Sequence, residues 1–435
     1  MAREMKDSGV KWIGEIPRKW SVSKIKFLIA NGGNSLRVGP FGSSLSGNDF
    51  TNEGYWVYNQ RSVIDNNFED NDTFICENKY NELKGFRVYP HDILITTRGS
   101  IGKVAIVPDK HFEGILHPCI IRFVLNDEKY NKYFLKHIFN GTDIVQQQIK
   151  NKSNSTTIDV LYSATLKNLV VPLPPLPEQQ TIADFLDAKC AEIDGLLADL
   201  ETEVKTLAEY KKSIIAETVT RGLNPNAPMK QSGIPWAETI PAHWVSEKFR
   251  YKLKVRRVTG QGDKQVLSVY REYGVVSKDS RDDNHNVTSE DTSKYKYVRP
   301  NDFVINKMKA WQGSMGVSDH EGIVSPAYFV YGFSDDNYNP RYFHYFMRNA
   351  NNIPEYRRLS GGIREGQWDL SPYDLGNMPV IVPPKAEQNE IVAYLDEKCA
   401  LLDKSTADKQ TQIETLKAYK SSLIYEYVTG KKQVI

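Results

Sequence analysis

Arg98 stands in TTRGSIGK (96–103), beside a tight glycine turn that follows a strand-forming run. A guanidinium so placed can pair with guanine in bidentate fashion or grip a phosphate. Ser100 and Lys103 add a hydroxyl and a cation to the same turn. GPFGSSL (39–45) is a glycine-rich loop carrying the ring of Phe41 and the hydroxyls of Ser43 and Ser44. Backbone N–H groups and hydroxyls in such loops hold phosphates, although the same residues also make an ordinary turn. QQQIKNKSNSTT (146–157) is almost wholly amide, hydroxyl and lysine, with Gln147, Lys150, Lys152 and Asn154 as its polar readers. Glutamine and asparagine suit adenine; a solvated loop is the plain alternative. Later in the chain, YRRLSGGIREGQW (356–368) gathers Arg357, Arg358, Arg364 and Gln367 around Gly361 and Gly362. KFRYKLKVRR (248–257) alternates basic and apolar residues. On a strand this would put Lys248, Arg250, Lys252, Lys254 and Arg256 on one face, as a phosphate-facing stripe or a solvated surface.

These residue types point to nucleic-acid contact, and the motifs of catalysis are missing. There is no Asn/Asp-Pro-Pro-Tyr/Phe run of the kind amino-methyltransferases use, and GSIGKV is too short for a phosphate loop and lacks its terminal Ser or Thr. No nuclease-type pairing of acidic residues with lysine is evident, and the eight histidines form no HExxH pattern. Cys76, Cys119, Cys190 and Cys399 occur singly, without the spacing of a zinc site or a disulfide framework. No metal or cofactor site is therefore expected in this chain. The net charge of +2 means that any basic surface must be local. The first residues, MAREMKDSGVKW, lack the apolar core of a signal peptide, and no stretch approaches a membrane span. A cytoplasmic location is expected.

What must position these loops is read from an internal repeat. MKDSGVKWIGEIPRKW (5–20) recurs as MKQSGIPWAETIPAHW (229–244). PPLPEQQTIADFLDAKC… (174–220) recurs without a gap as PPKAEQNEIVAYLDEKC… (383–429). The segments between differ in length and strongly in sequence, with weak echoes. HDILITTRGSIG resembles NDFVINKMKAWQGSMG with an insertion, and GILHP resembles GIVSP. The layout is variable, constant, variable, constant: 1–173, 174–222, 223–382 and 383–435.

The constant segments predict long helices. Proline precedes each start, and Glu178 and Glu387 place negative charge in the first turn, where the helix dipole favours it. At about 1.5 Å per residue each would reach roughly 65 Å. Leu186, Ile193, Leu200, Leu207 and Ile214 recur at every seventh position; Leu395, Leu402, Leu416 and Leu423 repeat the pattern, with Lys409 interrupting it. That period marks a coiled-coil seam. Two such helices in one chain predict antiparallel pairing, although each could instead pack on its own neighbouring domain. An antiparallel pair carries a pseudo-two-fold relation between the two halves. The variable segments are rich in short strands (DILITT, KVAIV, IIRFVL; FVINK, AYFVYGF), each with one equivalent helix (YNKYFLKHIFN; PRYFHYFMRNA). Both domains are expected to be α+β.

This layout, with the SGVKWIGEIPRKW/SGIPWAETIPAHW pair, the PLPPLPEQQ and VPPKAEQ junctions, GPFGSSL and RGSIG, resembles the specificity subunits of Type I restriction–modification systems across essentially the whole chain. The resemblance implies two target-recognition domains, each reading half of a split, asymmetric double-stranded DNA site. It implies an antiparallel coiled coil that sets the spacing and binds two modification subunits. Restriction subunits would join through these. S-adenosylmethionine, ATP and Mg would reside on the partners. GPFGSSL has no clear copy in the second domain, so its role is not carried there. Two other readings compete. A single-chain DNA-modifying enzyme is opposed by the missing motifs. A coiled-coil adaptor without DNA binding leaves unexplained why the domains diverge so much more than the helices.

Overall fold

The computed structural model describes residues 3–152, 160–280, 288–289, 291–362 and 368–434. The chain forms two compact units: Met1–Leu200 with Thr411–Ile435, and Glu201–Gln410. A central helix, Leu176–Arg221, and a C-terminal helix, Lys385–Val428, each contribute to both.

In the first unit the strands Leu36–Val38, Ile120–Phe123, Ile93–Thr96 and Val104–Ile106 form an antiparallel sheet in that order. In the second unit Leu253–Val255, Tyr328–Phe333, Phe303–Asn306 and Met315–Val317 repeat the order. Period-two alternation explains why the inner strands Ile93–Thr96 and Phe303–Asn306 carry apolar residues on both faces. Ile93 and Ile95 enter the core under the helices, while Leu94 enters a second core on the opposite face. Phe303 and Ile305 against Val304 do the same in the second unit. The equivalent helices are Lys132–Gly141 and Pro340–Arg348. Asn131 and Asn339 cap them through side chains that accept the first free N–H groups.

KFRYKLKVRR departs from its strand expectation. Lys248 ends a strand, Phe249–Lys252 is a short helical turn, and Leu253–Val255 is extended again. Phe249 is buried against Phe303, Tyr331 and Phe343. Phe249 and Leu253 are buried while Tyr251 between them is exposed, which a helical turn allows and a period-two strand does not. The basic residues consequently part company: Arg250 donates to Asn377 Oδ1 at 2.8 Å, and Arg256 pairs with Asp302 at 3.4 Å.

The two long helices pair antiparallel within each unit. In the first, Asp194 meets Lys420 at 2.6 Å and Phe185 meets Tyr427. In the second, Lys211 meets Asp403 at 2.6 Å and Glu203 meets Lys409. The seam residues Leu186, Ile193, Ile214, Leu395 and Leu423 are buried; Leu200, Leu207, Leu402 and Leu416 are half-buried. The Lys420–Asp194 and Lys211–Asp403 pairs are copies of one another under the sequence repeat. Lysines at seam positions set register at some cost in stability.

The repeated junction acts as a clamp. Glu178 accepts the indole N–H of Trp20 at 2.9 Å and pairs with Arg3; Glu387 accepts that of Trp244 at 2.8 Å and pairs with His243 at 2.6 Å. Gln179 accepts the N–H of Asn131 at 2.7 Å and donates to the carbonyls of Lys129 and Pro174. Gln388 repeats each of these contacts with Asn339, Asn337 and Pro383. The Pro–Glu–Gln start therefore locks helix, N-terminal strand pair and domain helix together. Among the described residues no helix is long and apolar enough to cross a membrane.

Candidate nucleic-acid interface

The first unit brings three of its sequence candidates to one surface. Strand Ile93–Thr96 ends at the turn that carries Arg98 and Ser100, both exposed. Gly99 and Gly102 take left-handed backbone angles there, and the Thr96 hydroxyl donates to the Ser100 carbonyl, closing the turn. Lys103 is half-buried at the start of the return strand, and its N–H donates to Thr96 Oγ1 at 3.0 Å. Gln60 donates to the Arg98 carbonyl at 2.6 Å.

The GPFGSSL loop lies beside this turn through His117. Any side chain at Gly39 would collide with the His117 carbonyl, so the two backbones touch. Phe41 is 84% exposed, Ser43 is exposed and Ser44 half-buried, with the Ser44 N–H donating to the Phe41 carbonyl at 2.8 Å. Burial lowers the His117 pKa, helped by the charge of Arg98, so the ring is neutral next to that cation.

The glutamine-rich segment is helical as far as the structure describes it, Ile144–Lys152. Gln146 donates to the Ile101 carbonyl at 2.7 Å and so faces the Arg98 turn; Lys150, one helical turn later, lies on the same face and is exposed. Gln147 does not. With Asn151 it lines a separate cavity of about 660 Å³, against Lys11, Trp12 and Tyr425. Gln148 is buried and bonds both backbone groups of Val170, a structural role. Lys152 ends the helix, and Asn154 lies outside the described residues.

In the second unit the strand connection equivalent to the Arg98 turn is the short helix Lys307–Gln312, which accommodates the insertion seen in the sequence. Lys307 pairs with Asp369 at 2.5 Å, and Trp311 packs on Trp368. Arg357 lies over the Trp311 ring, 5.7 Å from its centre, so the cation and the indoles form one cluster. Arg358 is exposed but engaged: Glu355 takes its Nε and Nη2 at 2.8 and 2.7 Å. Ser360–Gly361 and Asp369–Leu370 pair antiparallel, and Arg364 and Gln367 lie outside the described residues. Among the described residues no group of three or more His, Cys, Asp or Glu could hold a metal ion.

Sequence reasoning missed Gln60 and His117 in the first unit and Lys307 and Trp311 in the second. The GILHP and GIVSP echo was the signal nearest His117.

The chain matches the family model described as Type I restriction modification DNA specificity domain over residues 38–206. It is 30% identical to the Type I restriction enzyme EcoBI specificity subunit of Escherichia coli over 137 residues. That match spans 32% of this chain and 28% of the relative. It is 23% identical to the putative type I restriction enzyme MjaX specificity subunit of Methanocaldococcus jannaschii, over 97% of this chain and 96% of the other. Its fold is similar to a chain from a structural study of complex assembly in a type I R-M system (TM-score 0.69, 16% identity, 96% of this chain and 99% of the other). It also resembles the HsdS subunit from Thermoanaerobacter tengcongensis (TM-score 0.54, 16% identity, 96% and 98%).

Proposed function

We propose that this chain, which belongs to the specificity subunits of Type I restriction–modification systems, reads a bipartite, asymmetric DNA site, one half with each unit. The observation that carries this is the contrast between scaffold and surface. The Trp–Glu–Gln clamp and the sheet order repeat contact for contact, while the equivalent connections carry exposed Arg98 and Ser100 in one unit and half-buried Lys307 with exposed Lys309 in the other, where Arg357 of a neighbouring helix lies over Trp311. A duplicated frame with different side chains at its loops is what reading two different half-sites requires.

The chain works without catalysis of its own. Its partners are two modification subunits, recruited by the duplicated junction and helix surfaces, with restriction subunits joining through them. S-adenosylmethionine, ATP and Mg belong to those partners. With a net charge of only +2, few phosphate contacts come from this chain alone, and the partners supply the rest.

The test is DNA binding by the purified chain with and without modification subunits, at several salt concentrations. We expect specific affinity to rise at least roughly tenfold with the partner and the salt slope to steepen. Equal specific affinity in both cases would refute the division of labour, and methyl transfer or cutting by the chain alone would refute the non-catalytic role.

A further inference from the structure

We propose that His117 in the first unit and Ser325 in the second are base-reading side chains, presented by one and the same turn and chemically different, so that each sets one base pair of its half-site. The inference rests on the reading of the two units as half-site readers.

The turns share their two closing bonds. Each follows a short buried strand, Gly114–Leu116 or Gly322–Val324, and each has proline next, Pro118 or Pro326. The Ile120 N–H donates to the His117 carbonyl at 3.0 Å, and the Tyr328 N–H to the Ser325 carbonyl at 3.0 Å. The Cys119 N–H donates to His117 Nδ1 at 3.2 Å; the Ala327 N–H donates to Ser325 Oγ at 3.4 Å. Both side chains are half-buried. The frame is kept and the group it presents is exchanged, imidazole for hydroxyl.

The Cys119 bond also fixes what His117 can offer. Nδ1 accepts, so the ring proton sits on Nε2. The ring lines an open cavity of about 430 Å³ with Asn59, Gln60 and Arg61. Phe50 stacks near it, at 6.4 Å between ring centres. An oriented N–H donor next to Arg98 suits an acceptor on a base edge: purine N7, guanine O6 or thymine O4. In the second unit Lys296 donates to the Pro326 carbonyl at 2.9 Å, so that turn too has a cation beside it. Serine there can donate or accept, which implies a different and weaker preference.

The experiment uses the chain in complex with its modification subunits, methylating a library of duplexes randomised across the site. For His117→Ala and His117→Ser we expect discrimination at one base pair of one half-site to fall roughly tenfold, with every other position unchanged. Ser325→Ala should act on one base pair of the other half-site. His117→Asn retains an acceptor for the Cys119 N–H, keeping the turn while changing the outer atoms, and it too must alter that single preference. The inference is overturned if these variants keep wild-type discrimination at every position, or if methylation falls equally for all sequences, as loss of a phosphate contact or of folding would produce. A wild-type complex that methylates without sequence preference would instead sink the half-site reading itself.

Discussion

Gln179 and Gln388 are fully buried amides bonded at both ends. Replacing either with alanine strands a backbone N–H and two carbonyls. Each such group costs about 1–3 kcal/mol when left unsatisfied, so Gln179→Ala and Gln388→Ala should each destabilise by roughly 3 kcal/mol. Denaturant unfolding should return similar losses for both, because the contacts are copies; a large loss in one and none in the other would contradict the clamp. A second residue-scale prediction concerns His344. Burial, with Arg348 and Arg341 nearby, lowers its pKa from 6.5 to about 3. The folded protein resists protonation there and the unfolded chain does not. The contribution is therefore fully present above pH 6.5 and is lost as pH falls towards 3, by up to about 1.4 kcal/mol per pH unit. His344→Asn should flatten that acid limb in melts between pH 7 and 4; an unchanged slope would show that His344 does not titrate this way. At this scale the sequence was only partly legible. Arg98 was visible because Gly99 and Gly102 mark a turn beside it. His117 was not, because the fold carries it to Arg98 from another strand, and nothing local encodes that meeting. Gln147 misled for the opposite reason: one residue along a helix is about 100° of rotation, enough to separate it from Gln146.

At the scale of elements, the long helices were readable because a seven-residue period and a proline-free run are local signals. Their ends were readable too, but for a reason the sequence does not contain. Gly222 has φ +74°, and a Cβ there would press on the Trp244 ring at 2.9 Å; Gly430 stands against Pro17 and Trp20 in the same way. Each helix stop is thus also the seat of a repeated tryptophan. Gly222→Ala should destabilise by more than about 1 kcal/mol, from the left-handed backbone angle alone, with the ring contact adding to it. Gly195, inside the central helix with open space around it, should behave oppositely: Gly195→Ala is expected to stabilise by about 1 kcal/mol. Thermal melts of the two variants should move in opposite directions, and a shift of the same sign would mean that the helix end is not held as described. KFRYKLKVRR shows the limit of pattern reading. Its alternation is real, but the need to bury Phe249 among aromatic rings overrides it.

For the whole molecule, the repeat was the strongest signal in the sequence, since two gapless matches around divergent segments already imply a common frame with separate surfaces. The structure adds what the repeat is for: the matched residues include the ones that clamp each unit, and the exposed connections lie in the unmatched segments. The claim that each unit reads its own half-site has one direct measurement. Segment 27–171 is exchanged for that of a relative with a different site, and the methylated sequence of a host carrying the hybrid and its modification subunits is determined. The account predicts that one half of the methylated site changes and the other half is retained base for base; a hybrid whose methylated site changes in both halves would contradict it.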